Sequence, residues 1–291
     1  MTMKFRAHDT FYIRKGWLSK GMKNIIPKPN VFVDKNENPM DVLGIGANMV
    51  KALRYWLPAV GLTEEAPSGV RTQKLTKFGE LVYENDKFIE EIGTLYLLHY
   101  NLVKNQANAT AWYWFFNKFE SKEFTKDDFL QQIQNYISLE DKDANVALRS
   151  LEDDFSCIIN TYVPNEKVED ADPENNIDCP FRELNLIHAL NKKTFKKTIP
   201  LAQTFNPWVI LAVIMKKADG RSEIRLNDLL TEPCSIGKVF NLDTITMLDI
   251  LHNIEKMGEL KIVRTAGLDI IHLHNQYTFE ECVKRYYASI K

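Results

Sequence analysis

Leu43-Gly-Ile-Gly-Ala-Asn-Met-Val-Lys-Ala-Leu-Arg-Tyr-Trp-Leu-Pro-Ala-Val-Gly-Leu62 reads as the turn and second helix of a helix-turn-helix. Gly44 and Gly46 supply the tight turn and Asn48 is expected to cap the following helix. Met49, Leu53, Trp56 and Leu57 then recur at helical spacing on one face, while Lys51, Arg54 and Tyr55 lie away from it. A groove-reading helix needs that division, an apolar back against its own domain and a polar front towards phosphates and base edges. An ordinary amphipathic surface helix carries the same spacing, so this segment alone leaves both readings open.

Downstream, Arg71-Thr-Gln-Lys-Leu-Thr-Lys-Phe-Gly-Glu-Leu-Val-Tyr83 has the composition of a basic, turn-rich wing followed by a helix. Upstream, His8-Asp-Thr-Phe-Tyr-Ile-Arg-Lys-Gly-Trp-Leu-Ser-Lys-Gly21 mixes aromatic, cationic and glycine residues, as a packed loop or short hairpin does. From Glu90 to Phe119 the chain is strongly apolar and aromatic, which predicts buried helices with His99 as a hydrogen-bonded core residue. Thr125 and Asp128 have the spacing of a capping box. Residues 163–180 are acidic, proline-containing and poor in apolar side chains, as an exposed linker would be.

Beyond that segment the pattern begins again. Leu201 to Met215, Leu226 to Leu230 and Asp243 to Lys256 read as helices, and 258–274 alternates, turns at Ala266-Gly267 and alternates once more. The expected fold is therefore mainly α with small β-hairpins (α+β). Its divisions are an aromatic-rich DNA-binding winged-helix domain at 1–162, an acidic linker at 163–180 and a second winged-helix-like domain at 181–291. Winged helices serve dimerisation and docking as well as groove reading, so a homodimer is among the expected arrangements.

The 291 residues, 45% hydrophobic and 11% aromatic, suffice for a sizeable core. No run approaches the roughly 18 apolar residues of a membrane span, and the N-terminus lacks the apolar core of a secretory signal, so the expected location is the cytoplasm with no membrane partner. Cys157, Cys179, Cys234 and Cys282 are widely separated and read as reduced thiols rather than a zinc site or disulfide framework. His272-Leu-His274 would place two rings on one strand face without a third ligand, which reads as a solvated hairpin. The net charge of −2 hides segregation: residues 1–30 carry Lys4, Arg6, Arg14, Lys15, Lys20, Lys23 and Lys28 against Asp9 alone. Residues 140–183 carry thirteen acids against Lys142, Arg149, Lys167 and Arg182. Local fields decide association, and the basic N-terminal region predicts double-stranded DNA as partner, held through Arg14, Lys15, Lys20, Asn48, Lys51 and Arg54.

Phosphodiester cleavage needs carboxylates holding a divalent metal, or a base with cationic clamps. No familiar nuclease motif is present. His8 and Asp9, near Arg14 and Lys20, are the candidate catalytic pair, set against a structural network tying the N-terminal loop to its domain. Adjacent residues on a strand point to opposite faces, which favours the network. Glu152-Asp-Asp154 reads as a solvated face, and Gly44-Ile-Gly46 lacks the third glycine and preceding strand of a dinucleotide fingerprint.

Several of these motifs occur together in one order. His8-Asp-Thr-Phe with Arg14, Gly16-Trp17 and Lys20-Gly21 is followed by Leu43-Gly-Ile-Gly, Asn48-Met-Val and Arg54-Tyr-Trp. Thr94-Leu-Tyr-Leu-Leu-His99, Trp112-Tyr-Trp-Phe-Phe-Asn117 and Cys179-Pro-Phe-Arg-Glu-Leu-Asn-Leu-Ile187 then complete the set. The set resembles an uncharacterised-domain family of bacterial defence islands that includes the B protein of the Ssp DNA phosphorothioation system, in which sulfur replaces a non-bridging phosphate oxygen. The resemblance implies a DNA-binding component acting beside a cysteine desulfurase, an ATPase and an ATP pyrophosphatase-like enzyme, and it implies a DNA nickase. Asp9 stands where Glu is expected, and Tyr96 and Tyr100 where Trp is usual; the shorter carboxylate weakens a catalytic role at position 9. Two functions follow as expectations: a nickase, for which a divalent metal (Mg or Mn) is expected, or a non-catalytic adaptor that binds DNA and recruits the sulfur-modification enzymes through its C-terminal winged helix. No other cofactor is evident.

Overall fold

Where each helix begins and ends follows from local chemistry. In the computed structural model, which describes residues 3–66, 69, 71–164, 178–265 and 268–291, the opening segment runs as a loop to Gly16, whose φ of 82° turns the chain into α1 (Trp17–Ile25). The Asn38 side chain accepts from Met40 N and Pro39 occupies the first helical position, starting α2 (Pro39–Leu43). Gly44, at φ 60°, ends α2 in the left-handed conformation. The tight turn is as expected, and α3 (Ala47–Ala59) follows. Its cap is Gly46, not Asn48: the extended backbone of Gly46 opens the helix without a side-chain bond, and Asn48 is the second residue inside it. A hairpin of β1 (Thr63–Glu65) and β2 (Gln73–Leu75) comes next, then α4 (Lys77–Asn85), capped by Thr76.

The aromatic stretch forms α5 (Ile92–Lys104) and α6 (Thr110–Asn117), both buried almost throughout. After β3 (Glu123–Thr125), the capping box of Thr125 and Asp128 starts α7 (Lys126–Glu140), as the spacing predicts. α8 (Leu148–Tyr162) leads to the acidic segment, of which residues 165–177 lie outside the described residues.

The C-terminal half contains β4 (Ile187–Ala189), β5 (Thr194–Lys197), α9 (Pro207–Ala218), β6 (Glu223–Arg225), α10 (Leu226–Thr231), α11 (Ile236–Val239), α12 (Thr244–Lys256), β7 (Leu260–Thr265), β8 (Leu268–Leu273) and α13 (Phe279–Ser289). α9 begins later than the apolar run suggests, because Asn206 caps it and Pro207 takes its first position. β7 and β8 pair antiparallel with Thr265 opposite Leu268, as the alternation predicts; the expected turn residues Ala266 and Gly267 lie outside the described residues. Helices thus dominate, with small antiparallel sheets in the orders β1-β2, β3-β5-β4 and β6-β8-β7 among the described residues. The fold class is α+β.

The two halves share structure. β3 pairs with β5 through Glu123↔Lys196, Phe124↔Phe195 and Thr125↔Thr194. α13 packs on both α9 and α4. His99 of α5 bonds the carbonyl of Val239 at the end of α11 (2.8 Å) and, through Nδ1, the Tyr162 hydroxyl (2.8 Å). It is the hydrogen-bonded core residue its context predicts. All four cysteines are free thiols, and Cys157, Cys179 and Cys282 are buried. Among the described residues no helix is long and apolar enough to cross a membrane.

Candidate nucleic-acid interface

Pro58, in the last turn of α3, has no N–H to give the carbonyl of Arg54 four residues earlier. That carbonyl instead accepts from Gln73 Nε2 of β2 (2.9 Å). The same amide nitrogen donates to Glu65 Oε1 (3.1 Å), while Gln73 Oε1 accepts from Thr63 Oγ1 (3.1 Å). Gln73 is buried, so one side chain fixes both hairpin strands against the helix. Glu65 then meets Arg54 through Nε (2.9 Å) and the terminal nitrogen (2.8 Å). Partial burial pushes the Glu65 carboxyl up, but the hydrogen bonds from Gln73 and Arg54 outweigh it and hold the group below its ordinary value.

The helix and the hairpin border an open cleft of about 710 Å³, lined by Lys4, Lys51, Arg54, Tyr55, Glu64, Glu65, Arg71 and Asn108 among others. Its two acids are partnered, Glu65 by Arg54 and Glu64 by Lys74 (3.0 Å). Lys4, Lys51 and Arg71 form no ion pair among the described residues, so the cleft presents unbalanced positive charge. Lys4 Nζ stands 5.8 Å from the centre of the Tyr55 ring, and the Tyr55 hydroxyl donates to the Asn108 carbonyl (3.1 Å).

Of the expected DNA contacts, this cleft contains Lys51 and Arg54. Asn48 lies beside it in sequence and accepts from Lys51 Nζ (3.3 Å). Arg54 is already engaged by Glu65, which the sequence did not disclose. Lys15 and Lys20 do not line the cleft, and the Arg14 guanidinium lies over the rings of Phe11 and Trp17 (5.9 and 5.6 Å). Lys4 and Arg71 also line the cleft and were not among the expected contacts; their place in the basic N-terminal region and in the wing-like stretch was the available signal.

His8 and Asp9 do not converge. The His8 ring is fully buried, stacked on Trp56 (6.0 Å, 18°) and edge-on to Trp112 (5.4 Å), with Nε2 2.7 Å from Asp154 Oδ1. The same carboxylate oxygen accepts from Arg6 N (2.9 Å). Asp9 is half-buried at φ 50°, a left-handed conformation that Asp tolerates. The reading of Glu152-Asp-Asp154 as a solvated face is therefore corrected: Asp154 is 1% exposed. The signal was in α8, where Leu151, Asp154, Phe155 and Ile158 form one buried stripe. Burial raises the Asp154 carboxyl above its ordinary value, opposed by its bond to His8. Among the described residues, no group of three or more His, Cys, Asp or Glu side chains could hold a metal ion.

The sequence profile of the family described as "Protein of unknown function (DUF4007)" matches residues 5–287. The chain belongs to that family. No curated protein matches this DUF4007 chain. Among solved structures, the SspB crystal structure superposes with a TM-score of 0.87 at 25% identity, covering 99% of this chain and 88% of that one. A magnesium ion-bound SspB crystal structure superposes at 0.81, also at 25% identity, over 98% of this chain and 94% of that one. These matches bear out the family resemblance read from the motifs, and they span the DUF4007 fold from the N-terminal loop to α13.

Proposed function

We propose that the chain is a DNA-binding component of a DNA phosphorothioation system used in phage defence, acting in the cytoplasm beside the other proteins of that system. The observation that carries this reading is the superposition on SspB over 99% of the chain. Double-stranded DNA is the partner, and the cleft beside α3 supports that assignment through Lys4, Lys51 and Arg71, whose charges have no partner among the described residues. Arg14, Lys15, Lys20, Asn48 and Arg54 complete the proposed contact set.

The element order supports two winged-helix-like units, at 1–162 and 181–291. In the second, α9, β6, α10, α11, α12, β7 and β8 follow one another with sheet order β6-β8-β7, and in the first α2 and α3 are followed by the β1-β2 hairpin. We place the second unit in recruitment of the modification enzymes or of a second copy of the chain. Between adaptor and nickase, the burial of His8 favours the adaptor, since a general base must reach its proton. The nickase reading is supported by the magnesium ion bound to an SspB relative.

Fluorescence anisotropy with a labelled duplex across a salt series, beside plasmid nicking with and without EDTA, tests both levels. Salt-dependent binding that weakens in the double variant Lys51→Glu, Arg54→Glu is expected, with no EDTA-sensitive nicking. Equal binding by the double variant at every salt concentration would overturn the cleft. Metal-dependent nicking that survives His8→Ala would establish the nickase with another catalyst.

A further inference from the structure

A second cavity, of about 550 Å³, opens where the ends of α3, α5 and α9 meet the start of α13. Its walls are apolar and aromatic: Phe78 and Phe279 lie edge to face at 5.6 Å, and Tyr100 lies 5.9 Å from Phe279. Two cations line it, Lys104 and Lys216, and neither forms an ion pair or hydrogen bond among the described residues. Glu280 also lines the cavity, without a salt bridge to either lysine among those residues. The Lys104 ammonium lies over the Tyr100 and Phe279 rings (4.7 and 5.3 Å) rather than in solvent. Burial, and then the neighbouring Lys216, push it down to about 8. A bound anion would relieve that repulsion.

The decisive group is Asn101. Its side chain is 5% exposed, lines this cavity and has no hydrogen-bond partner among the described residues. Its amide nitrogen and oxygen are not sealed from solvent, so they are open to bond what enters the cavity. The packing holds it there: a Cβ on Gly61, itself at φ 77°, would stand 3.0 Å from Asn101 Cγ. The amide, its Nδ2 included, therefore packs at the cavity wall against a position whose positive φ favours glycine.

We propose that this cavity binds a phosphate-bearing small molecule with a planar ring, of mononucleotide size, its phosphate held by Lys104 and Lys216 and its ring edge read by the Asn101 carboxamide against the aromatic walls. The volume lies within the usual range for such ligands, roughly 300–1,000 Å³. The site differs from the DNA cleft in its cations and stands whether or not that cleft binds DNA. Its place between the two halves of the chain gives a ligand contacts with α5 on one side and with α9 and α13 on the other, so occupancy would tie them together.

Calorimetric titration of the full chain with adenosine monophosphate, inorganic phosphate and adenosine tests the proposal. Adenosine monophosphate should bind at one site per chain, more tightly than phosphate or adenosine alone. Lys216→Ala, at an exposed position that folding does not require, should weaken it about tenfold, and Asn101→Leu should remove the preference over inorganic phosphate. Lys51→Glu, in the other cleft, should leave it unchanged. Absence of binding up to about 10 mM, or equal affinity in the Lys216 and Asn101 variants with their folding verified by circular dichroism, would overturn the assignment.

Discussion

His8 Nε2 lies 2.7 Å from Asp154 Oδ1, and neither side chain is open to solvent. The bond spans 146 positions of sequence and fastens the N-terminal loop to α8, with the His8 ring pressed between Trp56 of α3 and Trp112 of α6. In that slot the imidazole fastens the loop to the helix.

Removing one side of such a pair should be costly. Asp154→Ala would leave the His8 and Arg6 donors unpaired in the interior, and the expected loss of unfolding free energy is about 3 kcal/mol. His8→Ala should lose a similar amount through cavity formation and the stranded carboxylate. Asp9→Asn, at a left-handed position that Asn also adopts, should change stability by less than about 0.5 kcal/mol. Chemical denaturation of the three variants decides the matter; an unaltered Asp154→Ala protein would mean that the loop is held elsewhere.

His99 makes the fold sensitive to acid. Both ring nitrogens are satisfied in the neutral form, Nε2–H donating to Val239 and Nδ1 accepting from Tyr162, and burial pushes its pKa from 6.5 down to about 4. The folded value lies below the unfolded one, so the unfolded chain binds the proton more readily between them. Its contribution is complete above pH 6.5 and is lost as pH falls towards 4, by up to about 3 kcal/mol. Urea midpoints for wild type and His99→Gln should converge as pH is lowered through that window. A constant difference would show that His99 does not titrate with unfolding.

The acidic stretch divides the sequence more clearly than it divides the packing. β5 has β3 on one edge and β4 on the other, and Gly93 of α5 leaves room for Tyr286 of α13, whose ring a Cβ would meet at 2.3 Å. Residues 181–291 expressed alone should therefore expose the apolar surfaces that α4 and α5 cover, and should precipitate or bind hydrophobic dyes. Co-expression with residues 1–164 should restore a soluble pair that co-purifies. Gly93→Ala in the intact chain should weaken the junction and lower the melting temperature. A monomeric, cooperatively unfolding 181–291 fragment would instead show that the second half folds by itself.

How much of this could be read in advance depended on range. Elements set by neighbouring residues were legible: the Gly44 turn, the capping box of Thr125 and Asp128, and the alternation of β7 and β8. The α3 cap was misplaced because Asn48 has the preferred side chain while Gly46 has the required backbone. Asp154 was hidden by its acidic neighbours Glu152 and Asp153, although its spacing from Leu151 and Ile158 put it on the buried stripe. β3, three residues long, owes its existence to a partner about seventy positions away, and so short a strand leaves no periodicity to read.

Arg54 offers the sharpest test of the interface, because Glu65 Oε1 holds it by a hydrogen bond from Nε and an ion contact with a terminal nitrogen. In this geometry its charge is already compensated, so Lys51, exposed and unpaired, should dominate the salt dependence. Lys51→Glu is expected to reduce the slope of log K against log salt by about 1, whereas Arg54→Met should weaken binding less and destabilise the hairpin more. Glu65→Gln keeps the contact with Gln73 but removes the competing charge, freeing the guanidinium for phosphate; duplex affinity at low salt should rise, and the slope should steepen by about one counterion. Anisotropy titrations at several salt concentrations measure both quantities. If Glu65→Gln leaves affinity and slope unchanged while Lys51→Glu reduces them, DNA passes Lys51 without reaching Arg54, and the hairpin side of the cleft is not part of the interface.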